Sequence, residues 1–150
     1  HNLNICKAVL LCKDPSEMTA ILSSFKKLRP RSLPLAQEYI AESHGEDLRV
    51  FVVGKQCLGS IRRKAPDGNF LANLAQGAHA ETMPLSEKMK ALALKACEVL
   101  ELDMAGIDLL FSKNGLLICE VNPCPNFKGF ETCTGINVAG AMVEWLKKSF

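Results

Sequence analysis

The sequence has little net charge and few aromatic rings of the base-stacking kind: Lys+Arg 18 against Asp+Glu 16 leaves a formal +2, and the 150 residues hold one Tyr and one Trp. A surface that neutralises a run of phosphates or stacks bases on aromatic rings needs more than this, so nucleic acid is a poor partner. The cluster Arg62-Arg63-Lys64 is too small to reverse that reading. No apolar run approaches the roughly 18 residues of a membrane span, and His1–Asn4 has neither the basic start nor the apolar stretch of a signal peptide. The seven cysteines are odd in number and form no C-x-x-C pair, and His1, His44 and His79 share no ligand spacing with them. A disulfide framework and a zinc site are both disfavoured. Cys97 and Cys119 sit in apolar periodic segments, as small hydrophobes do. These absences predict a soluble, cytoplasmic protein with reduced thiols and no affinity for membrane or nucleic acid.

What is present is core material. Hydrophobic residues make up 48% of the chain, enough for one ordinary domain. Lys7–Leu11 reads as a short strand. Asp14-Pro15-Ser16-Glu17 then supplies a helix cap, a proline at the first helical position and an acid in the first turn. Met18, Ile21, Leu22, Phe25 and Leu28 repeat at helical spacing, so this helix is expected to pack against a neighbour and to stop before Pro30. Leu35–Ile40 reads as a second strand. Leu48–Val53 and Gln56–Arg63 follow as strands around a Gly54-Lys55 turn, and a loop opens at Pro66-Asp67-Gly68 and runs past Asn73 to Ala80. Ser86 caps a helix through Leu100. Ala105–Phe111 and Leu116–Asn122 form a hairpin across Lys113-Asn114-Gly115, and a last helix runs from Asn137 to about Lys147. The expected class is α/β of the α+β kind, a mainly antiparallel sheet with packed helices.

The hairpin carries the chemistry. A two-residue Asn-Gly turn would set Asp108 against Val121 and mix acid with apolar groups on both faces. A three-residue loop with Gly115 in the left-handed position sets Asp108 against Glu120, with Asn122 two residues on. It also sends Ile107, Leu109, Phe111, Leu117, Cys119 and Val121 to one apolar face. Two carboxylates roughly 5 Å apart at their β-carbons repel unless a cation lies between them. Two carboxylates and an amide are oxygen ligands suited to Mg²⁺ or Mn²⁺. An exposed acid paired with a lysine is the competing reading, and the hairpin alone does not separate the two.

The segments QEYI (37–40), GEDLRVFVVG (45–54), RRKAPDGNFLANLAQG (62–77), AGIDLL (105–110), CEVNPCP (119–125) and GFETCTGINVAG (129–140) together resemble the RimK-like ATP-grasp ligases, in order and nearly in spacing. The resemblance implies an ATP-grasp C-terminal subdomain. It implies a reaction in which a substrate carboxylate takes the γ-phosphate of ATP and an amine displaces phosphate to form an amide. By motif position, Glu38 and Tyr39 would meet adenine and Asp47 the ribose hydroxyls. Arg49 and Arg63 would hold phosphate or acyl phosphate, Arg63 and Asn73 would serve catalysis, and Asp108, Glu120 and Asn122 would hold Mg²⁺ or Mn²⁺. Gly129, Glu131, Thr134 and Gly135 resemble the enzymes that add glutamate or a similar amino acid to an acid. ATP, a carboxylate substrate and an amino-acid amine, glutamate foremost, are the implied partners.

Several positions depart from the family pattern. Leu71 replaces a usual arginine, Ala75-Gln76 a usual His-Arg pair, and Asn126 a usual glycine; the first two changes remove positive charge. No Gly-rich phosphate loop precedes Lys7, and residues 1–150 are expected to form a partial ATP-grasp domain without an N-terminal domain. Such a piece is expected to be inactive alone and to expose a surface through which it could oligomerise. A non-catalytic nucleotide- or partner-binding module is the alternative function.

Overall fold

The computed structural model of the chain describes residues 9–66, 69–72 and 77–149. It divides into two compact units, His1–Tyr39 and Ile40–Phe150.

In the first unit, helix α1 spans Pro15–Leu28. It starts where the sequence predicts: the Asp14 carboxylate accepts from the backbone N–H groups of Ser16 and Glu17 at 2.8 and 3.0 Å. Its apolar stripe is less covered than its spacing predicts. Ile21, Leu22 and Phe25 are half-buried, Met18 and Leu28 are exposed, and no residue of α1 is buried. Among the described residues two expected strands do not form: Val9–Leu11 and Leu35–Ile40 have no regular structure, and Lys7 and Ala8 lie outside the described residues. Apolar runs that short take strand form only when a neighbouring strand accepts their backbone bonds, and among the described residues none does.

The second unit is built on a five-stranded sheet. Its strands are β1 (Glu46–Val53), β2 (Gln56–Lys64), β3 (His79–Met83), β4 (Met104–Ser112) and β5 (Gly115–Asn122), in the order β3-β2-β1-β4-β5 with every pairing antiparallel. Strand β3 begins at the end of the segment expected to be a loop. Its sequence His-Ala-Glu-Thr-Met carries no apolar alternation, and its place at the sheet edge comes from pairing with β2, aided by the Ser60 hydroxyl donating to the Met83 carbonyl at 2.7 Å. Helix α2 (Glu87–Val99) is capped by Ser86, whose side chain accepts from Met89 N–H. Helices α3 (Lys128–Thr134) and α4 (Val138–Ser149) complete the fold.

Alternation along β1 decides which face each helix covers. Leu48, Val50 and Val52 point one way and, with Ala105, Ile107 and Leu109 of β4, are buried under Met89, Ala93 and Cys97 of α2. Phe51 points the other way. It packs with Ile61 of β2, Phe130 of α3 and Val138 of α4, its ring centroid 4.6 Å from that of Phe130. Asp47 and Arg49 share this second face but stand outside the Phe51 cluster, half-buried among polar neighbours.

Candidate functional site

The register of the sheet assembles the polar face row by row. Asp47 lies opposite Arg63, and Arg49 opposite both Ile61 and Asp108. Asp108 lies in turn opposite Glu120, and Gly106 opposite Asn122. Cross-strand neighbours share a face, so Asp47, Arg49, Arg63, Asp108, Glu120 and Asn122 come together across four strands.

The Asp108–Glu120 pairing is the expected one, but the chain reaches it differently. Ser112 pairs with Gly115 around a two-residue Lys113-Asn114 turn, and the Ser112 hydroxyl accepts from Asn114 N–H and donates to the Gly115 carbonyl. The register then shifts between Asp108 and Leu109, where Cys119 is the extra residue on β5. This β-bulge restores Asp108 to Glu120 and reverses the alternation between it and the turn. In consequence Leu116 and Val121 pack toward α2, while Leu117, Ile118 and Cys119 are exposed, contrary to the expected apolar face containing Leu117 and Cys119. Gly115 has φ +113°, a positive value as expected.

The electrostatics of the face rest on two arginine forks. Arg49 donates through Nε and Nη2 to the two oxygens of Asp108, each at 2.7 Å. Arg63 donates to Asp47 at 2.6 and 2.5 Å and reaches Asp108 Oδ2 at 2.9 Å. Planar guanidinium forks match carboxylates in this way, and the bonds are charge-assisted. Burial pushes the Asp47 carboxyl above its ordinary value despite the Arg63 fork. Burial also works against the Arg63 charge, but Asp47 and Asp108 hold that group more firmly protonated than usual. The shifts pull the Asp47–Arg63 pair in opposite senses, and the two short bonds favour the ion pair.

Asp108 is buried, whereas Glu120 is exposed and, among the described residues, carries no ion pair. Asn122 accepts through Oδ1 from Cys124 N–H at 2.9 Å, which turns the chain after β5. Gly106 lies beneath that turn: a Cβ there would come within 2.8 Å of Pro125 Cβ. Its smallness is a feature of the site that the sequence alone did not mark. Among the described residues no three His, Cys, Asp or Glu side chains form a metal cluster. Asp108, Glu120 and Asn122 share one sheet face and carry oxygen atoms of the kind a hard divalent cation takes, with Asp108 shared between two arginines and Asn122 Oδ1 accepting from Cys124 N–H.

The other expected residues stand apart or outside. Glu38 and Tyr39 belong to the first unit and are exposed. Asn73 lies outside the described residues. Arg62 points to the opposite face, paired with Glu46 and with its guanidinium 5.8 Å from the Phe111 ring centroid. The segment Gly129–Gly135 takes on a structural task. Glu131 Oε1 accepts from Val138 and Ala139 N–H at 2.8 and 3.2 Å, closing the start of α4, and Gly135 ends α3 at φ +72°.

A five-stranded antiparallel sheet clasped by helices on both faces is the fold of ATP-grasp ligases. It is shared with the ATP-grasp ligase PsnB, solved with a precursor variant, Mg and ADP (TM-score 0.58, 23% identity, 75% of this chain and 34% of that one), and with D-cycloserine synthetase DcsG (TM-score 0.57, 20% identity, 75% and 41%). The model of the RimK-like ATP-grasp domain matches residues 3–146, and the chain belongs to that family. It is 37% identical over 142 residues to a probable alpha-L-glutamate ligase of Legionella pneumophila (strain Corby), covering 95% of this chain and 46% of that protein. It is 36% identical over 140 residues to the ribosomal protein bS6–L-glutamate ligase of Escherichia fergusonii, covering 93% and 46%. The chain thus spans about half the length of the curated relatives it matches.

Proposed function

We propose that this chain is the nucleotide- and metal-binding part of an ATP-dependent carboxylate–amine ligase that adds glutamate or a similar amino acid to an acid through an acyl phosphate. The observation that carries the reading is the row Arg49–Asp108–Glu120, with Arg63 and Asn122 beside it, on the sheet face outside the Phe51 cluster. Family membership and relatives named as glutamate ligases support it.

Asp108, Glu120 and Asn122 would hold Mg²⁺ or Mn²⁺, which when bound would neutralise phosphate oxygens of ATP. The remaining work falls to the chain's own side chains. Arg49, with 14% of its side chain exposed against 6% for Arg63, is the guanidinium better able to meet a phosphate. Arg63 is fixed by Asp47 and presents positive charge without having to reorganise, which is how a preformed site stabilises a transferring phosphoryl group. Asp47 is therefore assigned to holding Arg63 ahead of meeting the ribose. Glu38 and Tyr39 are assigned to the adenine, and Asn73 to the transferring phosphoryl group, by motif position. A cytoplasmic setting, where ATP and reduced thiols coexist, suits this chemistry.

Calorimetric titration of the chain with ADP, with and without Mg²⁺, tests the proposal. Saturable binding that requires Mg²⁺ and is lost in Asp108→Ala and Glu120→Ala is the expected result. Binding unaffected by both substitutions would refute it. One observation favours a second reading, a non-catalytic module: Asp108 is already neutralised by two arginines. Nucleotide binding that is indifferent to Mg²⁺ would favour the module.

A further inference from the structure

The four buried or half-buried groups at the centre of the polar face form a closed ion system: Asp47 and Asp108 against Arg49 and Arg63, two negative charges and two positive. Their connections are unequal. Arg63 bonds both carboxylates, so it keeps Asp47 if Asp108 moves away. Arg49 bonds Asp108 through both of its oxygens and, among the described residues, forms no ion pair with another carboxylate; Asp47 acts on it through space without bonding it. Next to this system Glu120 stands exposed and without an ion pair among the described residues. A divalent cation on Glu120 and Asp108 would compete with the Arg49 fork for Asp108 oxygens and repel the guanidinium beside them. Arg49, charged and partly buried, would then be held less well unless an anion arrives to meet it.

We propose that Arg49 is an exchangeable counter-ion of Asp108, so that cation and phosphate bind this face with positive coupling: the metal frees Arg49 for the phosphate, and the phosphate frees Asp108 for the metal. This inference rests on the nucleotide-site reading above and adds a reciprocity to it. Charge balance supports it independently. With Glu120 counted, the face carries three negative and two positive charges; a divalent cation alone overshoots to net positive, and a phosphate alone deepens the negative charge. Each ligand relieves the imbalance the other creates, which is the condition for thermodynamic coupling.

The test is Mn²⁺ binding to the chain, read from the electron paramagnetic resonance of free Mn²⁺. It is performed with and without saturating sulfate, a tetrahedral dianion with little hold on Mn²⁺ in solution. Sulfate is expected to tighten Mn²⁺ binding to the wild type by fivefold or more. Arg49→Lys keeps the charge but cannot form the two-bond fork. It is expected to bind Mn²⁺ alone at least threefold more tightly than the wild type and to lose most of the sulfate effect. A purely structural Arg49 would weaken metal binding in that variant, and a simple charge effect would leave it unchanged. Mn²⁺ affinity indifferent to sulfate in the wild type overturns the coupling while leaving Mg²⁺-dependent ADP binding, and with it the proposed function, intact. No Mn²⁺ binding by wild type or variant, with ADP binding also absent, overturns both.

Discussion

Asp108 and Glu120 face each other across one hairpin in opposite electrostatic settings, and stability separates them. Removing Asp108 leaves the Arg49 and Arg63 guanidinium groups buried without their shared partner, so Asp108→Ala is expected to lower unfolding free energy by about 3 kcal/mol. Glu120→Ala, at an exposed position without an ion pair, should change it by no more than about 0.5 kcal/mol. Urea denaturation of both variants measures the contrast; equal losses would mean that Glu120 has a buried partner. On the opposite face, the Arg62 hydrogen bond holds the Glu46 carboxyl below its ordinary value. A carboxyl depressed in the folded state stabilises above its unfolded pKa of about 4.5 and loses that contribution as pH falls through its folded value. Glu46→Gln should therefore flatten the acid limb of the stability–pH profile below that pH and leave neutral stability within the ~0–1 kcal/mol typical of partly exposed pairs.

Among the elements, the α3–α4 joint shows how a motif can serve architecture. Glu131 closes two N–H groups at the start of α4, so Glu131→Ala is expected to cost about 1–2 kcal/mol, with Glu131→Gln recovering part through its remaining carbonyl oxygen. Thermal unfolding measures this, and a neutral Glu131→Ala would remove the capping role. Helices were legible in the sequence wherever a cap and a stripe coincided, as at Asp14, Ser86 and Asn137. Strands were legible where alternation met a partner, as in β1, β2, β4 and β5. Strand β3 was not, because its residues carry no pattern of their own and only the β2 edge makes them a strand. Leu35–Ile40 failed the other way, with strand-like residues that take no regular structure. The Asp108–Glu120 pairing was legible, but the apolar face used to choose its register wrongly included Leu117 and Cys119, which the structure exposes. The bulge at Cys119 was not, since the Ser112 hydroxyl, absent from any period, selects the shorter turn. The arginine forks were equally hidden: Arg49 and Arg63 could be picked out by motif, but their carboxylate partners follow only from register.

For the whole molecule, one sheet divides its labour between faces. The face under α2 is continuous apolar core, and the other passes from the Phe51–Phe130 cluster to the charged row within a single strand. The β1–β2 turn is tied to this packing through Gly54, at φ +61°, where a Cβ would come within 2.5 Å of the Trp145 ring of α4. Gly54→Ala must either push Trp145 aside or strain the turn and should destabilise the unit by roughly 1–3 kcal/mol, visible as a changed Trp fluorescence and a lower Tm. On the proposed function, metal and nucleotide bind the polar face and not the α2 face. Paramagnetic broadening of backbone amide signals by substoichiometric Mn²⁺ with ADP tests it most directly. Early loss of the Gly106, Asp108, Glu120 and Asn122 signals while those of Ala93, Ala96 and Cys97 persist is the expected result; broadening centred on α2, or spread evenly over both faces, would rule out the polar face as the site.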